Sequence, residues 1–439
     1  MLKRIFPIAL LTGSGQLFSL FALKYISRFG TSLDLKAIGQ TDSLVLFMLN
    51  GIALGLQTAA MRDLALAEDW KTDFQKAQSA RFTLSLLFCA GSLLAFFNPY
   101  YFLFLFAPVL AMNGDYALYA RSHPIAGASV GFSRLFLPYG AIMVTAHIRP
   151  ELIIPVYIVS TVITYFLSNL FISGYLKTPA ISQPSFKNMH LYIKSMPIGV
   201  EILSLYFIGM GLMMVIPYFY SNSTVALAFV GLKFYVLFKG VLRIIHQAFI
   251  REMNSFEVCL RVDQLCMLAG ISFTVFMICF PKTVIGIFFG EKYLSDSVYF
   301  ILLAIAGLIY SSFSSFIIRA MLERKDIPNA IAALASALFT ICLNIVLSYL
   351  YSSAVSIGVS LIAGELAFAI SMVFILHHKS LVRDRLVFFL KNIFIVAIPV
   401  LIAGLFGDHL KNLLIAFLLF GGLMAIVHYK KFAFGVRMA

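Results

Sequence analysis

Charge is what this 439-residue chain has least of: Asp, Glu, Lys and Arg together make up 12% of it, about half the share of a soluble globular domain. Beside 61% apolar residues and a mean hydropathy of +0.95, that shortage excludes a soluble globule. Acidic residues are the scarcer sign, 19 against 33 basic, for a formal net charge of +14. In a soluble protein this balance would point to nucleic acid; in a membrane chain it is first a topology signal. There are five cysteines, Cys89, Cys259, Cys266, Cys279 and Cys342, and no CxxC pair. Neither a disulfide framework nor a thiolate zinc site is implied. Enzyme signatures are missing too: no GxxxxGK[ST], HExxH or GxSxG occurs, so no catalytic residue, cofactor or metal is expected.

What the chain has instead is long apolar runs. They fall near residues 5–27, 40–62, 81–98, 100–120, 125–147, 151–176, 196–219, 225–249, 262–288, 297–321, 328–350, 353–376, 388–407 and 410–429. About 20 apolar residues at 1.5 Å rise cross the roughly 30 Å of bilayer hydrocarbon. The expectation is an all-α polytopic membrane protein with about 14 transmembrane helices. Lys3-Arg4 before the first run resembles a signal peptide, but the run continues to Lys24 without a small-x-small cleavage site. It reads as a retained first span.

In this register Lys24, Arg28, Lys36, Arg149, Lys282, Lys292 and Lys411 fall on one side, Lys233 and Lys239 inside a span, and the other 24 of the 33 basic residues on the N-terminal side. The positive-inside rule then puts both termini in the cytoplasm. Most of the +14 is accounted for without nucleic acid.

A weak internal repeat runs along the chain. Asn50-Gly51 and Arg62-Asp63 match Lys239-Gly240 and Arg251-Glu252 at an offset of 189; Pro7-Ile8 matches Pro197-Ile198 at 190, and Phe96-Phe97 matches Phe288-Phe289 at 192. Six spans per repeat preserve orientation, so the halves are expected to be parallel lobes with a substrate cleft between them. The expected domains are a six-helix lobe at 1–176, a cytoplasmic linker at 177–194 carrying Pro179 and Pro184, a second six-helix lobe at 195–386, and two extra helices with a basic tail at 387–439.

Intramembrane charge costs about 2.5–3.5 kcal/mol per residue on insertion scales, which makes each such residue a functional candidate. Lys239, Arg243 and His246 form one helical stripe, and the repeat maps Asn50 and Gln57 onto Lys239 and His246. Both halves thus present polar faces toward a common cavity, to which Lys233 adds a deep cation. Lys24 and Arg28 share a face near the outer end of the first span. Snorkelling to the interface is the bland reading of Arg243, His246, Lys24 and Arg28. The intramembrane carboxylates Glu201, Asp115, Glu365 and Asp42 are candidates for ion coupling. Asp115 also sits in Asn113-Gly114-Asp115, a candidate helix break.

Three features carry a family resemblance: Gly39 through Arg62-Asp63, Phe288-Phe289-Gly290-Glu291-Lys292-Tyr293 at the entry to the tenth helix, and the twelve-helix plan with two added helices. The chain resembles the multidrug/oligosaccharidyl-lipid/polysaccharide exporters, and among them the polysaccharide (O-antigen-type) flippases; the added pair is more like the lipid-linked peptidoglycan-precursor branch. The resemblance implies a bacterial inner-membrane transporter that moves a polyprenyl-diphosphate-linked oligosaccharide between leaflets by alternating access. It further implies a counter-ion, proton or sodium, and a polysaccharide polymerase as partner. Cavity cations suit a diphosphate, which could not otherwise enter low dielectric. A drug or solute antiporter of similar architecture is the nearest alternative, although a cationic drug would want an acidic cavity. A glycolipid-assembly enzyme is the alternative of another class; it would act through Asp34 and Asp42.

Overall fold

The structure, a computed structural model, describes residues 2–249, 253, 255–376 and 380–437, all helix, turn or irregular chain without a strand. Two compact units emerge, one ending at Phe229 and one starting at Val230. The first contains α1 (Leu2–Phe29), α2 (Ser32–Ala53), α3 (Leu56–Leu66), α4 (Trp70–Cys89), α5 (Ala107–Ala111), α6 (Asp115–Ala120), α7 (Pro124–Ile148), α8 (Ile153–Leu176), α9 (Leu191–Phe207) and the start of α10 (Asn222–Phe249). The second holds the rest of α10, then α11 (Phe256–Cys279), α12 (Pro281–Phe288), α13 (Ser297–Leu322), α14 (Asp326–Leu350), α15 (Ala354–Leu376), α16 (Ser380–Phe406) and α17 (Leu410–Arg437).

Among the described residues, nine helices are long and apolar enough to cross a membrane, and eleven if two bent pairs count as one span each. The bends lie between Phe186–Phe207 and Met210–Tyr218, at 70°, and between Arg383–Asn392 and Ile395–Phe406, at 47°. The expected fourteen add α1, α2 and the shorter apolar helix Leu410–Met424.

Local chemistry sets the boundaries. Thr31 and Asp34 form a capping box at the start of α2, each satisfying a backbone amide of the other, so the helix begins at Ser32, ahead of the second apolar run. The 282–296 segment is α12 followed by a 3-10 helix, Glu291–Asp296. Asn98 accepts the Tyr100 amide at 3.1 Å, and Pro99 starts the next turn, which ends one apolar run and begins another. At the cap of α4, hydrogen bonds from Thr72 hold the Asp69 carboxyl below its ordinary value.

The second apolar run breaks between α2 and α3, where Leu54 and Gly55 both have positive φ (35° and 76°). The carbonyls freed by the break need partners, because lipid offers none. They find them on α9: Tyr192 Oη donates to the Ile52 carbonyl at 2.6 Å and Ser195 Oγ to that of Leu54 at 3.2 Å. Contact is backbone to backbone, since a Cβ on Gly199 would strike the Leu54 carbonyl group. This explains why α9, the first helix after the expected linker, packs with the first unit. Gly199→Val is expected to cost about 3 kcal/mol or more through overpacking against an unyielding backbone. Thermal melting of the purified variant checks this; an unchanged Tm would contradict the contact.

Candidate functional site

Each unit gathers polar side chains from helices that are otherwise apolar. In the first, Asp42 on α2 accepts hydrogen bonds from Tyr139 Oη on α7, at 2.8 Å, and from Tyr157 Oη on α8. One residue on, Ser43 Oγ donates to the Met210 carbonyl at 2.9 Å, and Tyr206 Oη donates to the Ser43 carbonyl at 2.6 Å.

Nearer the α5–α6 break, Asp115 accepts from Gln57 Nε2 at 3.1 Å and pairs with Arg134 Nη1 at 3.0 Å. Arg134 Nη2 reaches Asn113 Oδ1 at 2.8 Å, and the guanidinium lies 4.6 Å from the centre of the Tyr165 ring. Arg81, fully buried, donates to Gln78 Oε1 at 2.8 Å and to the Asn113 carbonyl. Asn113-Gly114-Asp115 is thus a true interruption, held by two arginines from α4 and α7. Gln57 and Asp115, drawn from separate lines of reasoning in the sequence, meet here.

Lys24 and Asn50 are half-buried, Arg28 is exposed, and Glu201 on α9 is buried. Asp34 is committed to its capping box and Asp42 to two tyrosines. That disposition does not suit a catalytic carboxylate pair.

The second unit holds a buried carboxylate in an ion pair. Lys239 Nζ on α10 lies 2.6 Å from Glu365 Oε1 on α15, with the carboxylate 1% exposed. Tyr235 Oη donates to the same oxygen, and Lys239 faces the rings of Tyr235 and Tyr310 at 4.6 and 4.3 Å. Two aromatic faces and one carboxylate are a good environment for an ammonium removed from bulk water. The stripe read from the sequence divides in space. Lys239 is half-buried, Arg243 is exposed, and His246 is buried within 3.4 Å of the Ser314, Ser315 and Cys266 side chains. Lys233 is buried on the same helix.

A second ion pair was not foreseen. Arg385 Nη2 on α16 lies 2.5 Å from Asp263 Oδ2 on α11, its Nε donates to the Ser312 carbonyl at 2.5 Å, and its guanidinium lies 4.4 and 4.6 Å from the Phe313 and Phe316 rings. Arg81, Arg134 and Arg385 had all been counted as topology charges. The missed signal was position: Arg134 lies ten residues inside a 25-residue apolar helix, too deep for a loop. Among the described residues no group of three His, Cys, Asp or Glu side chains is placed to hold a metal ion.

No family model and no curated protein sequence matches the chain. Solved structures do. The lipid II flippase MurJ in an inward closed conformation is similar over 96% of this chain and 99% of its own, with a TM-score of 0.73 at 15% identity. An inward-facing multidrug resistance MATE family transporter of the MOP superfamily is similar over 84% of this chain and 96% of its own, at 0.54 and 14%. This chain shares its fold with these proteins. A MATE structure in complex with MaL6 is similar over 87% and 96%, at 0.52 and 13%. At these identities the likeness is one of backbone architecture. Among the described residues, the first unit carries one largely buried ion pair, Arg134–Asp115, and the second carries two, Lys239–Glu365 and Arg385–Asp263.

Proposed function

We propose that this protein is a transporter, a flippase moving a polyprenyl-diphosphate-linked oligosaccharide across a bacterial inner membrane by alternating access, for O-antigen or capsule synthesis. The observation that carries this reading is the likeness to MurJ over nearly the full length of both chains. The MATE likenesses have lower TM-scores, which favours a lipid-linked cargo over a soluble drug. Lys239 fits the role. Its ammonium is held by a carboxylate and two tyrosine faces, and a diphosphate offers charge of the same sign in a form that arrives with the substrate. Lys233, Arg243, Lys24, Arg28, Asn50, Gln57 and His246 remain candidate substrate contacts. Glu365, Glu201, Asp115 and Asp42 are candidates for coupling to a proton or sodium ion, and a polysaccharide polymerase is the proposed partner. The excess of basic residues on one side supports cytoplasmic termini.

A second reading has one specific observation behind it. MurJ is a lipid II flippase, so a lipid II-type cargo is the alternative to an O-antigen-type one. Deletion of the gene separates the two. Loss of surface polysaccharide with accumulation of its lipid-linked oligosaccharide on the cytoplasmic leaflet is the expected result, reversed by the wild-type gene. Accumulation of lipid II with arrested wall synthesis would support the second reading. Accumulation of neither would refute the flippase proposal.

A further inference from the structure

The expected linker is not a loose tether. Its backbone is docked on α4: Ser79 Oγ donates to the Gln183 carbonyl at 2.6 Å, the Ser185 amide donates to Thr83 Oγ1 at 2.8 Å, and Lys71 Nζ reaches the Lys177 carbonyl at 3.4 Å. Tyr192 turns inward to the α2–α3 break, but three apolar and three basic side chains of the segment face outward. Ile181, Phe186 and Ile193 are 60%, 76% and 76% exposed, and Lys177, Lys187 and Lys194 are exposed as well. From Phe186 the chain is helical into α9. Phe186 and Ile193, seven apart, share one stripe; Lys187 and Lys194, also seven apart, share the next. No acidic residue occurs between Glu151 and Glu201. On the adjoining start of α4, Asp73 is neutralised by Lys76 at 3.0 Å and Asp69 is turned into the helix cap, while Trp70 carries Lys71 and Arg121 over its ring, at 5.9 and 5.2 Å.

We propose that the segment from Lys177 to Lys194 is an anionic-phospholipid binding surface, with Phe186 and Ile193 inserted at the headgroup level and Lys177, Lys187 and Lys194 on lipid phosphates. Charge complementarity selects the occupant. A segment whose charges are all basic, beside exposed apolar side chains, suits a negatively charged leaflet, and a docked backbone presents both at little ordering cost. A water-facing linker would not leave a phenylalanine and an isoleucine three-quarters exposed on one stripe. The surface is separate from the ion pairs above and does not depend on what the protein transports.

The test uses the full-length protein in nanodiscs of phosphatidylcholine and phosphatidylglycerol. The chain has one tryptophan, Trp70, so Phe186→Trp on a Trp70→Phe background gives a single reporter in the segment. Brominated phosphatidylglycerol is expected to quench it about threefold more than brominated phosphatidylcholine at equal mole fraction, with the preference lost in Lys177→Gln/Lys187→Gln/Lys194→Gln and in high salt. Equal quenching by both lipids, or quenching by neither, would overturn the proposal. Wild-type protein purified from an equimolar mixture of the two lipids checks it without the reporter. Selective retention of phosphatidylglycerol, reduced in the triple variant, is expected; equal retention of both lipids would also overturn it.

Discussion

Lys239→Ala is expected to abolish surface polysaccharide while the protein still reaches the membrane, and Lys233→Ala to do the same. For Lys239 the variant alone is ambiguous, because it also strands a carboxylate. Glu365 is 1% exposed, and removing its cation leaves a buried charge with Tyr235 as the remaining described donor; breaking such a pair costs about 3–5 kcal/mol. Part of any loss of export would therefore be loss of folded protein. Lys239→Ala/Glu365→Gln separates the two effects. A neutral amide in the same volume removes the uncompensated charge, so the double variant is expected to recover most of the melting temperature and none of the export. Glu365→Gln alone, which keeps the ammonium between its two tyrosine rings, is expected to keep substrate binding and lose coupling to an ion gradient. Export assays beside thermal melting decide it: wild-type export in the double variant would reduce the pair to a structural tie.

Much of this fold was legible in the sequence because lipid imposes one strong rule. A spanning segment must satisfy its own backbone, so apolar runs of sufficient length become helices whatever their detailed order. Two breaks were legible as well, at Asn98-Pro99 and Asn113-Gly114, where turn chemistry is local, while those at Leu54-Gly55 and after Phe207 fall inside single apolar runs. Long-range matters were not. The repeat pairs Phe96-Phe97 with Phe288-Phe289, yet Phe96 and Phe97 are 91% and 86% exposed while Phe289 is 1% exposed. Equivalent positions carry different surroundings once each unit has packed. Pro7 and Pro197, by contrast, both lie inside helices. Arg251-Glu252 of the repeat lies outside the described residues. The candidate site was legible as a set of charges and illegible as a set of pairs. Nothing in the spacing joins Lys239 to Glu365 or Gln57 to Asp115, because those distances depend on helix packing. Arg81, Arg134 and Arg385 fall among the topology charges in the sequence, although a planar guanidinium with several donors is well suited to bridge helices in low dielectric.

Arg385→Ala is the other substitution with a large expected effect, and its consequence is structural. Polar contacts at two places tie the C-terminal helices to the rest of the second unit. At one, Arg385 meets Asp263 while its Nε satisfies the Ser312 carbonyl. At the other, Asp408, between α16 and α17, accepts the Lys282 and Thr283 amides at 2.7 and 3.2 Å and so caps α12. The first is the stronger tie, because Asp263 is 1% exposed and Arg385 9%. Losing the guanidinium leaves a carboxylate in an apolar interior and removes the contact with the Phe313 and Phe316 rings, for about 3–5 kcal/mol in all. Asp408→Ala removes an exposed cap and is expected to cost about 1 kcal/mol. Replacing both charges together, as Asp263→Leu/Arg385→Met, removes the desolvation penalty along with the attraction and is expected to restore most of the stability. Limited proteolysis gives the positional readout: in Arg385→Ala, cleavage before α16 should accelerate at temperatures where the double variant and wild type remain intact. If the double variant melts like the wild type and also exports like it, the Asp263–Arg385 pair serves only to fasten the C-terminal helices.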